Sequence, residues 1–398
     1  MKLLLITAGS RGDVEPFVEL ARAAAAAGHD VRVAAPDRSG VSAGDVDVVS
    51  LRVDYTSTIE DQGVALGAAM RNFRTVVKPT MRSVIVGAAR AALTFRPDVI
   101  IAHPKVLSAP LIAEALDIPH VLVELVPAVT PTRAFAAAGT VAADLGVLNR
   151  LTYFAAASAS AMFSAALDEA AQLLGVRRGR PMPSPAATLL PISPSLLQRP
   201  GDWPLNVHLT GPWTGAGVAE DLAPEVAAFV ADGSYVYVGF GSMAAGDAAA
   251  RGRALVAAVR GRGQRLLVAT GLGGIEIAPS ARSDDVLVVR SVPHSRVLPN
   301  AATAVHHGGI GTVQAATRAG TVSVVVPFIA DQPFWGAMLH RRGLAPEAIR
   351  YNRVTAERIG NALDATPQYR HSVEAAAQQM STENGTAAAL AIITAIRG

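Results

Sequence analysis

The sequence has no cysteine, which removes disulfides, thiolate nucleophiles and cysteine-ligated zinc or iron–sulfur centres together. It is also nearly without lysine. Lys2, Lys78 and Lys105 stand alone among 35 basic residues, the rest being arginine. Neither sign of charge dominates, since 32 acidic residues leave a formal net charge of +3, and no five-residue basic cluster occurs; a nucleic-acid partner is not expected. No run reaches the roughly 18 uninterrupted apolar residues of a membrane span. The opening MKLLLITAG breaks at Gly9, too soon for a signal peptide, and reads as a buried first strand. A cytoplasmic location without integral membrane association is the expectation.

What is present is a folded α/β pattern. A length of 398 residues suggests two domains, and 51% hydrophobic residues supply a core for each. Short apolar, β-branched runs alternate with helical stretches, as in parallel sheets covered on both faces. Strands are expected at 2–7, 30–35, 46–53, 98–102 and 120–126, then at 235–240, 265–269, 286–290, 303–306 and 322–327. The first helix is expected at 15–27, ending at Gly28, with Pro16 in its first turn. Residues 56–94 and 127–174 exceed a simple crossover and are candidate pocket walls. Prolines crowd residues 175–217 and suggest a linker. The expected division is 1–198, a linker at 199–217, a second doubly wound domain at 218–380, and a last helix within 381–398 that returns to the first domain because its apolar positions need cover.

Ala8-Gly9-Ser10-Arg11-Gly12-Asp13 follows the first strand, at the sheet edge where open α/β folds bind ligands. Only two glycines stand there, and Asp13 would meet a pyrophosphate with like charge, which counts against a dinucleotide. Asp13 reads either as a functional carboxylate or as a helix cap. His306-His307-Gly308-Gly309-Ile310-Gly311-Thr312 forms a second edge, where small residues and a helix start suit a diphosphate. Adjacent histidines also admit a metal site, or a core histidine plus a turn, though strand neighbours point to opposite faces. Gly239-Phe240-Gly241-Ser242-Met243 and the run from Pro327 through Asp331 and Gln332 to Pro333 approach the same edge. Asp331 and Gln332 could match sugar hydroxyls, or Asp331 could only cap a helix. Phe334 and Trp335 read as core.

Taken together, SRGDVEP, GFGSM, VHHGGIGT and PFIADQPFWG resemble the nucleotide-sugar glycosyltransferases that act on glycopeptide antibiotics, polyketides and sterols. The four blocks span nearly the whole chain. The resemblance implies two Rossmann-like domains facing across a cleft (GT-B), acceptor bound by the first, a dTDP- or UDP-linked sugar by the second, and displacement with inversion and no required metal. By position Asp13 matches the catalytic base, His306 the diphosphate-contacting histidine, and Asp331 with Gln332 the sugar ligands. Ser10, Ser242, Gly311 and Thr312 match positions near the phosphates, Val292 the backbone at the nucleobase, and Gly12, Gly308 and Gly309 complete the donor set. Asp13 stands where many relatives carry His, so a His–Asp relay is not expected. Gln314 replaces a ribose-gripping Glu, so dTDP-sugars are expected to be accepted at least as well as UDP-sugars. The expected function is transfer to a hydroxyl of a lipophilic natural product or sterol; the alternatives are a nucleotide-sugar epimerase of the same fold and a silent binding partner. Transfer in a purified sample separates them.

Overall fold

The computed structural model describes residues 1–54, 73–154, 159–179, 182–215, 221–241, 243 and 245–397. Strands β1 (Lys2–Ile6), β2 (Asp30–Asp37), β3 (Asp47–Asp54), β4 (Val99–Ala102), β5 (His120–Val123), β6 (Ala187–Leu190) and β7 (Val207–Leu209) build one sheet. Its order is β3-β2-β1-β4-β5-β6-β7, and every pair is parallel. The second sheet comprises β8 (Tyr235–Gly239), β9 (Arg265–Ala269), β10 (Val286–Val289), β11 (Ala301–His306) and β12 (Val322–Val325), ordered β10-β9-β8-β11-β12 and again parallel. Leu3, Leu4, Leu5 and Ile6 are all buried because both faces are covered. Leu4 and Ile6 meet the helices Lys78–Phe95 and Ser164–Leu174, whereas Leu3 and Leu5 meet helix α1 (Arg11–Ala26) and the last helix, Gly385–Ala395. An unbroken apolar run is what such a strand requires.

Two features differ from the sequence reading. Helix α1 begins at Arg11, four residues early, because Ser10 and Asp13 form a reciprocal capping box; Pro16 therefore lies inside the helix. The proline-rich segment is not a bare linker, since it carries β6 and β7 and buries Leu196, Leu197, Trp203 and Trp213. Pro191 directly follows β6 and Pro204 precedes β7, so the prolines punctuate short strands instead of ending the sheet. The expected pocket wall at 56–94 lies partly outside the described residues.

The last helix buries Gly385, Ala389 and Ile393 against the α1 side of the first sheet. Gly385 sits so close to the Gly211 carbonyl that a Cβ there would overlap it. Complete burial of Ile393 stabilises this return by about 1.5–3 kcal/mol. A second apolar cluster joins the domains: Phe135, Leu190, Leu196 and Trp203 pack with Val313, Phe334 and Trp335, and the Phe135 and Phe334 rings lie edge to face at 5.4 Å. Phe334 and Trp335 are core residues. In each sheet the chain reverses direction of winding between two adjacent strands, β1 and β4 in the first and β8 and β11 in the second. Ligands bind at such switch points.

Candidate active site

At the first switch point, the turn after β1 brings Asp13 beside the loop after β4. Gly9 has φ +140, and a Cβ there would overlap the Asp13 carboxylate and fall 2.7 Å from Lys105 Nζ, so the turn demands glycine. Asp13 Oδ2 accepts the Ser10 N–H at 2.8 Å, while Oδ1 meets Lys105 Nζ at 3.0 Å and His103 Nε2 at 3.4 Å. His103 Nδ1 accepts the backbone N–H of Lys105 at 3.1 Å, which leaves the ring proton on Nε2, facing Asp13. Burial pushes the Asp13 carboxyl up, but the Lys105 ammonium and the His103 hydrogen bond outweigh it and hold the group well below the usual carboxylate range. Burial lowers the His103 pKa, with Asp13 opposing, so the ring is neutral. Asp13 thus caps its helix, and its charge also reaches Asp331 of the second domain.

The second switch point is built from backbone. Gly308 has φ +89, and a Cβ would fall 2.6 Å from Val325 Cγ1, so β12 packs where any side chain would sit. Gly309 is the N-cap of the helix Ile310–Arg318 and brings no side-chain cap, so the first N–H groups remain open to a ligand. Gly311 and Thr312 lie in that first turn, exposed and partly exposed. No Lys or Arg occurs in 239–243, 306–312 or 327–332.

The two histidines differ. His306 is fully buried; its Nδ1 accepts the Gly308 N–H at 3.1 Å and its Nε2 lies 2.9 Å from the Ser323 hydroxyl. Both nitrogens are engaged, so His306 shapes the turn and does not offer a free donor to a diphosphate. Burial, and then the neighbouring His307 and His294, keep it neutral. His307 instead turns its ring toward Gly241, and its Nδ1 is buried without a hydrogen-bond partner among the described residues. Burial above all lowers its pKa to about 4. The rings lie nearly perpendicular, with centroids 6.4 Å apart. Among the described residues no three His, Asp or Glu side chains gather as metal ligands.

Loop 327–332 crosses toward the first domain. Ala330 adopts φ +55, a strained value for alanine, and its carbonyl carbon would meet a Cβ on Gly139 at 3.8 Å. Asp331 Oδ2 accepts the Trp335 Nε1–H at 2.9 Å. Burial raises its pKa to about 6, and the Asp13 charge across the cleft adds to the rise while Lys105 opposes it. Gln332 does not face the cleft as a sugar ligand: it is buried, and its Oε1 accepts the N–H groups of Phe328 and Ile329 at 2.8 and 3.1 Å. Gln314 is not free to read a ribose either. Its Oε1 accepts the Ser193 N–H at 3.0 Å and its Nε2 donates to the Pro191 carbonyl at 3.1 Å, tying the domains together. The nucleoside preference argued from that position loses its basis. Ser10 and Gly12 open α1 beside Asp13, and Val292 follows β10; Ser242 lies outside the described residues.

His103 and Lys105 escape the sequence reading. Their position was legible, because HPK directly follows a buried strand beside the switch point, as SRGD does. Asp13 therefore does contact a histidine, which comes from the loop after β4 instead of from α1.

Two doubly wound sheets with ligand edges at facing switch points define a GT-B glycosyltransferase fold. The chain belongs to the GT-B family of glycosyltransferases. It is 32% identical over 390 residues to the O-mycaminosyltylonolide 6-deoxyallosyltransferase of Streptomyces fradiae, covering 90% of this chain and 88% of that one. A sterol 3-beta-glucosyltransferase of Arabidopsis thaliana is 26% identical, covering 98% and 67%. Residues 278–392 match the C-terminal domain of erythromycin biosynthesis protein CIII-like proteins, and residues 16–186 match a glycosyl transferase 4-like domain. Among solved structures, the glycosyltransferase SnogD from Streptomyces nogalater superposes with TM-score 0.64 at 25% identity over 99% of both chains. The glycotransferase of kitacinnamycin superposes with TM-score 0.73 at 19% identity, covering 99% of this chain and 98% of that one. These relatives are glycosyltransferases and do not favour an epimerase. No helix among the described residues is long and apolar enough to cross a membrane.

Proposed function

We propose that the protein transfers a sugar from a nucleoside diphosphate donor to a hydroxyl of a lipophilic small molecule, a polyketide or glycopeptide aglycone or a sterol, inverting the anomeric carbon. The observation that carries this reading is the placement of the Asp13 carboxylate, held by Lys105 and His103, opposite Asp331 and the open, glycine-lined helix start of the second domain. The acceptor hydroxyl attacks the anomeric carbon as its proton passes to Asp13. The bond from that carbon to the diphosphate oxygen breaks, and its electron pair leaves on the diphosphate, received by the N–H groups of the helix Ile310–Arg318 and by His307. No step in this scheme needs a metal, so turnover should survive chelation. A lipophilic acceptor is supported by Val147, Leu148, Leu151 and Phe154, which lie 74%, 55%, 59% and 67% exposed along one short segment of the first domain. The test is incubation with dTDP- and UDP-sugars and a panel of aglycones and sterols, reading the anomeric configuration by NMR. An inverted glycoside is expected; a retained configuration, or donor hydrolysis with every acceptor, overturns the reading.

A further inference from the structure

Asp13 Oδ1 already has two partners, Lys105 and His103. Lys105 Nζ sits 3.0 Å from Oδ1, so an acceptor hydroxyl can reach that oxygen only if the ammonium withdraws. Withdrawal leaves Asp13 with the Ser10 N–H on Oδ2 and His103 Nε2 on Oδ1, so the carboxylate stays oriented. The Lys105 side chain is 42% exposed and belongs to a loop, so it can swing. Meanwhile a diphosphate at the second edge would find no Lys or Arg in the three loops that surround it. Arg11, on the first domain, also acts on His294 of the second, but its guanidinium is forked onto Glu15 at 3.1 and 3.2 Å. Lys105 already acts on Asp331 across the cleft, so it lies within electrostatic reach of the second domain.

We infer that Lys105 is a positioning residue that exchanges partners: its ammonium closes Asp13 in the empty enzyme and crosses to the donor diphosphate when the donor binds. The inference rests on the reading of Asp13 as base and deepens it. It makes the base available only once a leaving group is in place, which orders the ligands, donor first. It also gives the departing diphosphate a mobile cation. The charged and titratable groups facing Asp13 are Lys105 and His103 from the β4 loop and Asp331 from the second domain, with Arg11 and Glu15 on its own helix.

The experiment is a double-mutant cycle read as dTDP and UDP dissociation constants without acceptor. Lys105→Met should weaken diphosphate binding by about tenfold, and Lys105→Arg should recover most of it. Asp13→Asn should tighten binding by roughly three- to tenfold, because the ammonium no longer has to leave a carboxylate, and that gain should vanish in the Lys105→Met background. A purely structural Lys105 would move none of these constants in this pattern. In turnover, Lys105→Met should shift the acid limb of the kcat/KM profile upward by about one pH unit, since Asp13 loses its ammonium. A gain on Asp13→Asn that persists without Lys105, or no gain at all, overturns the exchange. Wild-type protein that binds neither diphosphate overturns the donor reading, and this inference with it.

Discussion

At the β1–β4 edge the Asp13 carboxylate contacts two titratable side chains, His103 and Lys105. At the β8–β11 edge the chain offers glycines, a helix start and two histidines held neutral by burial. Proton transfer needs a side chain whose charge state is set by neighbours, and charged partners supply that. Holding a polyanion needs many donors at once, which backbone N–H groups provide without adding a titrating group. The first edge is therefore sensitive to side-chain chemistry and the second to backbone shape.

That contrast can be broken most sharply at Asp13. Asn keeps the size and caps a helix as well as Asp, so Asp13→Asn should leave the melting temperature nearly unchanged while lowering turnover by about two to four orders of magnitude. Comparable turnover would move the proton chemistry elsewhere. At the opposite edge, Gly308→Ala forces a Cβ onto Val325 at positive φ and should cost about 1–3 kcal/mol of stability, read from denaturant midpoints, with a matching loss of diphosphate binding. A tolerated alanine would mean the backbone there is not set by packing.

A smaller effect tests the carboxylate that bridges the two edges. The Asp331 pKa is raised from 3.8 to about 6, so the folded state holds more protons than the unfolded state in that window. Its contribution to stability therefore falls as pH rises from about 4 to 6 and levels off above. Asp331→Asn should stabilise the protein at pH 8 by on the order of 1–2 kcal/mol and leave it unchanged near pH 3, because only the ionised wild type carries the penalty. A mutant less stable than wild type at pH 8 would show that Asp331 is held by favourable contacts and not merely confined.

The legibility of the two edges in sequence differed for physical reasons. The apolar run Leu3–Leu4–Leu5–Ile6 and the turn after it announce a buried strand and a ligand edge, because burial on both faces tolerates no polar residue. Asp13 was visible by position alone. His103 was not, since a lone histidine after a strand has the same pattern as a core histidine and its meaning comes from Asp13, 90 residues away in the chain and in contact across neighbouring strands. Gln314 and Gln332 looked like ligand groups because amides suit sugars and riboses, yet both amides satisfy nearby backbone instead, a competition that only packing decides. Likewise the run around His306 reads correctly as a tight glycine turn into a helix start, while the choice between adjacent histidines depends on which ring Ser323 captures. The proline-rich segment misled because proline marks the flanks of β7 as readily as it marks a linker.

The division of labour between the edges is tested most directly by one paired measurement: nucleoside diphosphate affinity and turnover at saturating donor, for Asp13→Asn and His307→Ala in the same buffer. The account predicts that Asp13→Asn loses turnover with affinity undiminished, whereas His307→Ala loses about tenfold in affinity and keeps turnover within a few-fold. Loss of affinity at Asp13 together with loss of turnover at His307 would contradict it.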